Sequence, residues 1–188
     1  MKKFELTSEF ITNIFGTKLF RIKALIEFGN VKAGELGGFV EKEENLSQDG
    51  NAWVYDNARV YGDACVCGNA WVYDNARVYG DACVCGDARV YGDACVCGDA
   101  RVCGDARVCG DACVYGDAGY ATVHGFGSEY RTTTFFKTKA GDIGVKCGCF
   151  YGNLSEFRKK VVETHGETKK AKEYLMLADL MEFRLTHK

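Results

Sequence analysis

The sequence predicts a mainly β protein built on a single-stranded parallel β-helix, with a smaller unit at each end. A six-residue unit, Ala-x-Val-x-(Gly/Asp)-(Asp/Asn), repeats without a break over residues 52–117. Within that array, residues 51–67 and 69–85 are identical, so a period of 18 residues overlies the shorter one. The 188-residue chain also contains 23 glycines, 11 cysteines and no proline, a composition that repetition explains.

Each six-residue unit predicts one short strand and one corner. Alternate residues of a strand share a face, so the Ala and Val of every unit point to one side and their neighbours to the other. The Gly or Asp and the Asp or Asn that close the unit are turn formers. Such units bury their apolar side only by coiling, and the 18-residue period predicts three six-residue strands in each coil.

Residues 18 apart would then stack about 4.8 Å from one coil to the next. The outward side chains form three faces, which we name by their contents. The aromatic face carries Trp53, Tyr55, Trp71, Tyr73, Arg89, Tyr91, Arg107 and Cys109. The tyrosine face carries Arg59, Tyr61, Arg77, Tyr79, Cys95, Cys97, Cys113 and Tyr115. The cysteine face carries Cys65, Cys67, Cys83, Cys85, Arg101 and Cys103.

The flanks predict caps, because an array of coils would otherwise leave an unpaired strand edge at each end. Residues 1–44 form the N-terminal cap, for which we expect an α/β structure with 18–28 as its clearest strand-like run. Residues 45–124 form the β-helix. Residues 125–188 form a C-terminal cap and interaction domain, expected to contain a β-hairpin and two helices.

Within the C-terminal domain, residues 131–138 and 143–151 predict the hairpin. Asn153 and Glu156 have the spacing of a capping box that opens a helix. Residues 174–183 of the second helix are apolar nearly all round, which places them against the rod or in an oligomer interface. The first helix has an expected apolar face of Leu154, Phe157, Val161 and Val162.

The formal net charge of −2 gives no field that would draw the protein to nucleic acid or to an anionic membrane. Polar residues interrupt the N-terminal segment and no run of 18 apolar residues occurs. We therefore expect neither a leader nor a membrane span, and a cytoplasmic location. In that compartment an odd number of cysteines favours free thiols, and disulfides are not expected.

Cysteines and corner aspartates are the candidate metal ligands. Four thiolates on adjacent coils could hold zinc, but structural zinc sites draw on tight turns that let the sulfurs converge, and strands are flat. We favour a packing role for Cys65, Cys67, Cys83 and Cys85, and expect no metal and no cofactor. Stacked carboxylates could recruit calcium, although hydrogen bonds within their own turn are commoner. These carboxylates belong to Asp63, Asp81, Asp93, Asp99, Asp111 and Asp117.

The aromatic face supplies the candidate protein-binding site. Its large side chains form a contiguous apolar patch if nothing covers them, and such patches mark interfaces. The alternative is that the C-terminal helices pack there. The candidate residues are Trp53, Tyr55, Trp71, Tyr73, Arg89 and Tyr91.

The placement of Val and Ala resembles that of the hexapeptide-repeat proteins, whose β-helix is left-handed. This chain departs from them after the aliphatic residue, where Tyr or Cys precedes the Gly. The resemblance implies a left-handed rod. It also implies an alternative function, because that family includes trimeric acyltransferases that bind acyl-CoA and use a histidine base. His124 is the one histidine near the rod, with His165 and His187 farther along the chain.

The chain as a whole resembles a group of largely uncharacterised repeat proteins common in bacteriophages and gut bacteria. The likeness rests on 18–25 and 36–47, on the Asp-Ala-Arg-Val-Tyr-Gly repeat, and on 148–166 and 171–175. It implies a fold and a setting but no activity.

These observations predict a non-enzymatic β-helical scaffold that binds a protein partner, with a phage-encoded inhibitor of a host defence or regulatory protein as its most specific version. We expect a homo-oligomer, formed through the C-terminal domain or a face of the β-helix. One alternative is the trimeric, acyl-CoA-dependent acyltransferase. Another is a self-assembling structural protein.

Overall fold

The computed structural model describes residues 2–116, 119–126 and 131–186. The N-terminal cap is a meander of three antiparallel strands, β1 (Phe4–Thr12), β2 (Lys18–Ala24) and β3 (Leu36–Val40), followed by a 3-10 helix at Glu43–Asn45. The expected α/β composition of the cap is wrong, since its described part contains strands and this single 3-10 turn. The three residues of that turn are too few for an α-helix before Leu46 joins the sheet beside Val66.

Eleven short strands follow and wind the rod. They are β4 (Trp53–Val54), β5 (Arg59–Val60), β6 (Cys65–Val66), β7 (Trp71–Val72), β8 (Arg77–Val78), β9 (Cys83–Val84), β10 (Arg89–Val90), β11 (Cys95–Cys97), β12 (Arg101–Val102), β13 (Arg107–Val108) and β14 (Cys113–Tyr115). Each strand pairs in parallel with the one three positions later, as Trp53 with Trp71 and Cys65 with Cys83. The predicted 18-residue coil of three strands is confirmed.

The rod has the three predicted columns of strands. One sheet has the order β13-β10-β7-β4 and another the order β12-β9-β6. The third column, β5-β8-β11-β14, continues through β3 into the N-terminal cap and so belongs to a seven-stranded sheet. The left-handed sense of the coil stays a prediction.

The interior of the rod is the expected stack of Ala and Val. These side chains are fully buried or nearly so from Ala52 to Val114. Burying one valine side chain contributes about 1.5–3 kcal/mol relative to leaving it in water. The stacked apolar layers therefore stabilise a rod whose individual strands are only two or three residues long.

The corners require left-handed backbone at the fifth position of each unit. Gly86 has a φ of 69°, and a Cβ added there would lie 2.9 Å from the backbone nitrogen of Gly104 in the next coil. In two units an aspartate takes this position, Asp56 with φ 51° and Asp74 with φ 58°. Asp is among the few residues with a Cβ that tolerate this conformation.

The C-terminal domain is a four-stranded antiparallel sheet with two helices. The predicted hairpin is present as β16 (Arg131–Lys137) and β17 (Ile143–Cys147), and β15 (Tyr120–Phe126) and β18 (Phe150–Asn153) extend it on either side. The expected boundary between residues 124 and 125 falls inside β15, which pairs with β16 and not with the rod. The division into three domains stays a prediction.

Helix α1 (Leu154–His165) begins at the predicted capping box. The Asn153 side-chain oxygen accepts a hydrogen bond from the Glu156 backbone N–H (2.9 Å), and the Glu156 carboxylate accepts one from the Asn153 N–H (2.8 Å). Leu154, Phe157 and Val161 are buried as expected. Val162 is 52% exposed, because one residue beyond Val161 lies about 100° farther round the helix.

Helix α2 (Lys169–Thr186) packs one side against α1, β15 and β16. Ala171, Tyr174 and Ala178 are among the side chains it buries, in a core separate from that of the rod. Its opposite side exposes Met176 (71%) and Leu180 (55%). None of the described helices is both long and apolar enough to cross a bilayer.

Side chains from the N-terminal cap close the first edge of the rod. The buried Lys3 ammonium donates to the carbonyl oxygen of Ala52 at 3.0 Å. The buried Asn45 amide donates to the carbonyls of Gly62 (3.0 Å) and Ala64 (2.8 Å). These carbonyls would otherwise lack a strand partner, so the predicted role of the flank as a cap is met by specific hydrogen bonds.

Side chains from the C-terminal sheet close the other edge. The Thr134 hydroxyl accepts from the Arg107 backbone N–H at 3.1 Å. The Tyr120 hydroxyl accepts from the Cys103 N–H at 3.2 Å and donates to the Arg101 carbonyl at 2.6 Å. Both rod ends are therefore joined to a cap through backbone groups of the terminal coils.

Candidate functional site

The aromatic face is built by the column β4-β7-β10-β13. Because the strands are parallel and in register, Trp53, Trp71 and Arg89 lie in one row across the coils. Tyr55, Tyr73 and Tyr91 lie two residues after them and point to the same side. The predicted grouping of these six residues on one face is confirmed.

Trp53, however, is not on the surface. Its side chain is fully buried, with Phe28 at 5.4 Å and Phe4 at 6.2 Å between ring centroids in edge-to-face contacts. The expectation that Trp53 is exposed is therefore wrong. The expected alternative, cover by the C-terminal helices, is also wrong here, because the cover comes from the N-terminal cap.

The other five residues form a cluster that we call the aromatic patch: the half-buried Tyr55, Trp71, Tyr73 and Tyr91, and the exposed Arg89. Trp71 contacts the Tyr55 ring edge-to-face at 5.7 Å, and the Arg89 guanidinium lies over the Trp71 ring at 4.8 Å. The rings of Tyr73 and Tyr91 stack nearly parallel at 4.8 Å, one coil apart. Each side chain is held by a neighbour from an adjacent coil.

The aromatic patch combines neutral phenols with one positive side chain and has one negative side chain beside it. Partial burial raises the pKa of the Tyr55 and Tyr73 phenols, so both are neutral at physiological pH. Arg89 contributes a positive charge over the Trp71 ring, and the exposed Asp56 lies beside Tyr55 in a shallow groove that Asn30 of the N-terminal cap also lines. The arrangement offers aromatic surface, one cation and one adjacent carboxylate.

The cysteine face contains a disulfide between Cys85 and Cys103, whose Cα atoms are 4.7 Å apart. The expectation of free thiols throughout is therefore wrong for this pair. The repeat register explains it, because residues 18 apart stack within the Cα separation of about 4.4–6.8 Å at which disulfides form. The other nine cysteines are free.

The candidate zinc ligands do not form a metal site. Among the described residues, no group of three or more His, Cys, Asp or Glu side chains has an arrangement that could hold a metal ion. Cys85 is committed to the disulfide. Burial raises the pKa of the Cys65 thiol to about 11 and also raises that of Cys83, which keeps both protonated near neutral pH.

The Asn and Asp side chains at the corners form hydrogen bonds mainly to the next coil, and less often to their own turn. The Asn69 amide donates to Asp87 at 3.0 Å, and the Asp74 carboxylate accepts from the Gly92 N–H at 3.0 Å. Asp63 forms an ion pair with Lys42 of the cap at 2.7 Å. These corners therefore add links along the rod. Asp117, the last of the predicted column, lies outside the described residues.

The histidines do not mark a site on the rod. His124 is exposed on β15, with its Nδ1 at 3.1 Å from the Thr132 hydroxyl. His165 lies at the end of α1, where its ring stacks on that of Tyr174 at 5.8 Å. His187 lies outside the described residues. The two described histidines thus belong to different parts of the C-terminal domain.

Sequence reasoning missed a pocket in the C-terminal domain. Cys147, Cys149, Phe157, Lys160 and His165 are among the side chains that line it, and its volume is about 220 Å³. A signal was present, because Phe157, Val161 and His165 follow one another at four-residue spacing and so lie on one side of α1. The Thr133 hydroxyl donates to the Cys147 sulfur at 3.2 Å, which holds that thiol at the pocket wall.

Comparison with known proteins places the repeats in a recognised class. The family described as YdcK Beta solenoid repeat matches residues 52–68, 70–86 and 100–116. A curated protein of Escherichia coli (strain K12), "Uncharacterized acetyltransferase YdcK", is 39% identical in an alignment of 74 residues that covers 35% of this chain. The matched segment covers 23% of the length of that relative. The likeness supports a repeat β-helix and concerns the rod.

Proposed function

We propose that this protein is a non-enzymatic β-solenoid scaffold that binds a protein partner through the aromatic patch. The observation that carries the proposal is the patch itself, in which four large half-buried rings and one exposed guanidinium share a face of the rod. Trp, Tyr and Arg dominate the binding energy of protein interfaces. Side chains already fixed by their neighbours lose little conformational entropy when a partner arrives.

The chemistry of the patch restricts its partner. The exposed Arg89 favours a carboxylate on the partner, and the neutral phenols of Tyr55 and Tyr73 offer hydrogen bonds at the edge of an apolar surface. We therefore propose a partner segment that combines an apolar side chain with a nearby Asp or Glu. In the most specific version of this proposal, that segment belongs to a host defence or regulatory protein and the chain is a phage-encoded inhibitor.

A photo-crosslinking experiment in cells tests the binding role. A photoreactive phenylalanine is placed at Tyr73 on the aromatic patch or at Tyr79, whose ring stacks on Tyr61 in the same way on the tyrosine face (5.0 Å, 4°). We expect a discrete crosslinked protein from position 73 that Arg89→Glu removes, and none from position 79. Equal products from both positions, or a product indifferent to Arg89→Glu, would overturn the assignment.

Acetyl transfer is the second candidate function, and the specific observation in its favour is the resemblance of the rod to YdcK. It requires a base near a cofactor groove, and His124 is the histidine that lies nearest to the rod along the chain. Calorimetry with acetyl-CoA tests it. Heat of binding with one site per subunit, together with acetyl-CoA turnover lost in His124→Ala, would support this function. No binding heat would exclude it.

We also propose a homo-oligomer and a cytoplasmic setting. Nine free thiols support that setting, whereas the Cys85–Cys103 disulfide is uncommon there. End-to-end polymerisation is the least favoured form of assembly, because side chains of the caps already bond the terminal backbone groups of the rod. Gel filtration distinguishes it, since a polymer elutes in the void volume.

A further inference from the structure

Three cysteines stand in one column of the cysteine face, each at the same position of successive coils. The Cys67 N–H donates to the Val84 carbonyl at 3.0 Å, and the Cys85 N–H donates to the Val102 carbonyl at 2.9 Å. Cys85 is therefore related to Cys67 by the same step that relates Cys103 to Cys85. The Cα atoms of Cys85 and Cys103 are 4.7 Å apart, and the parallel register repeats that spacing below Cys85.

The Cα separation of Cys85 and Cys103 lies in the range of about 4.4–6.8 Å that a disulfide requires. The same parallel register places Cys67 about one inter-strand spacing, roughly 4.8 Å, from Cys85 on its other side. Cys103 is its partner in the structure and Cys67 is a free thiol. All three side chains are partly exposed. A thiol beside an accessible disulfide is the arrangement that permits exchange.

We propose that Cys67, Cys85 and Cys103 form a thiol–disulfide exchange site in which one disulfide moves between two adjacent positions. The Cys67 thiol loses its proton to water, and its thiolate attacks the sulfur of Cys85. The Cys67–Cys85 bond forms as the Cys85–Cys103 bond breaks, and Cys103 leaves as a thiolate that takes up a proton. The numbers of thiols and disulfides do not change, so no oxidant or reductant is consumed.

The rod favours this exchange by its geometry. Attack on a disulfide proceeds through three sulfurs in a line, and here the attacking, central and leaving residues come from three coils stacked in one direction. The neighbouring Cys65 and Cys83 are the competing thiols, and their burial keeps them protonated. The Cys67–Cys85 disulfide would join the coil of Cys67 to the next coil, and the Cys85–Cys103 disulfide joins that coil to the one after it.

Peptide mapping distinguishes the two links, because arginines separate the three cysteines. Cleavage after Arg59, Arg77, Arg89, Arg101 and Arg107 yields peptides 60–77, 78–89 and 102–107. In the full-length variant Cys65→Ser/Cys83→Ser these peptides contain only Cys67, Cys85 and Cys103. The protein is incubated at about pH 8, where thiolates form, with oxidised glutathione as the oxidant for variants that begin with two free thiols, and is then acidified, alkylated, digested and analysed by mass spectrometry.

We expect both cross-linked pairs, 60–77 with 78–89 and 78–89 with 102–107, from that variant. Adding Cys67→Ser should leave only the second pair, adding Cys103→Ser only the first, and adding Cys85→Ser neither. Serine is close to cysteine in size and these sites are partly exposed, so we expect the variants to fold. Circular dichroism verifies that each one does. A link from 78–89 to 90–101, whose cysteines lie on another face, reports random pairing.

Three results would overturn the proposal. The first is a folded variant that retains Cys67, Cys85 and Cys103 but gives only the link from 78–89 to 102–107 after prolonged incubation. The second is a Cys103→Ser variant in which Cys67 and Cys85 remain unlinked under the same conditions. Random pairing in amounts equal to either expected link would also count against it.

Discussion

At the scale of single residues, two buried polar side chains decide how the rod begins. Lys3 and Asn45 each take the place of a neighbouring strand by donating hydrogen bonds to backbone carbonyls of the first coil. Burial lowers the pKa of the Lys3 ammonium to about 8, against a smaller opposing effect of Asp49. Lys3 is thus held by its backbone contacts and by the Phe28 ring, 4.8 Å from the ammonium nitrogen, at a cost in solvation.

Replacement of Asn45 tests this capping role. Asn45→Ala should lower the free energy of unfolding by about 1–3 kcal/mol, because two buried carbonyls lose their donor. Asn51→Ala is the matched control, since the exposed Asn51 amide bonds only another exposed side chain, that of Asn69 at 3.2 Å. Urea denaturation measures both variants, and equal losses would contradict the proposed role of Asn45.

The thiol of Cys65 should make stability fall at high pH. Burial raises its pKa from 9.0 to about 11 in the folded protein. Its contribution is complete below pH 9, where both states hold the proton, and is lost between about pH 9 and 11, where only the unfolded state ionises. Under reducing conditions, the difference in unfolding free energy between wild type and Cys65→Ser should shrink over that interval. A difference that stays constant would refute the effect.

At the scale of the elements, the geometry of the rod depends on two requirements at each corner, the backbone conformation and the close contact with the next coil. Each corner needs left-handed backbone, and most corners also lie directly on the backbone of the next coil. The two requirements can be separated at Gly86 and Gly104, which have nearly the same φ, 69° and 67°. A Cβ would approach the next coil at Gly86 but would meet nothing within 4 Å at Gly104.

Gly86→Ala should therefore destabilise the protein more than Gly104→Ala. Both variants carry a left-handed alanine, which costs about 1–2 kcal/mol. Only the first also forces two coils apart, so we expect a melting temperature several degrees lower than that of the second, since about 1 kcal/mol shifts it by roughly 2–4 °C in a domain of this size. Similar melting temperatures would show that the contact between coils is easily relaxed.

The elements also show what the sequence could predict. The six-residue and 18-residue periods determine the coil, its columns and the buried Ala and Val, because each residue contacts its own counterpart in the next coil. The burial of Trp53 could not be predicted in the same way. Phe4 and Phe28, which cover it, lie outside the repeat, and no periodicity relates them to Trp53. The stacking of Cys85 and Cys103 followed from the period, whereas the bond between them was missed because the expected compartment argued against it.

At the scale of the whole molecule, the rod is enclosed at both ends and open along its sides. Cap side chains bond the terminal coils, so the surfaces left for other molecules include the faces of the rod, the pocket beside α1 and the outer side of α2. That side of α2 carries Met176 and Leu180 at four-residue spacing. Large exposed apolar side chains in such a row are typical of an interface.

We predict that α2 contributes to self-association. Met176→Glu combined with Leu180→Glu should reduce the molar mass measured by light scattering to that of one chain, 20.7 kDa, because charged side chains would lose their hydration in the interface. Val162→Glu, on the exposed side of α1, is the control and should leave the mass unchanged. An unaltered oligomer in the double variant would place the interface on the rod.

The exact match of successive coils also bears on how the length of this protein can change over generations. Unequal recombination between the stretches encoding the identical segments 51–67 and 69–85 adds or removes 18 residues at a time. One such event changes the length of the rod by about 4.8 Å and leaves the two caps in the same orientation about its axis. A gain of six residues would instead turn one end by a third of a revolution, so length is a variable that the gene can alter freely while orientation is conserved.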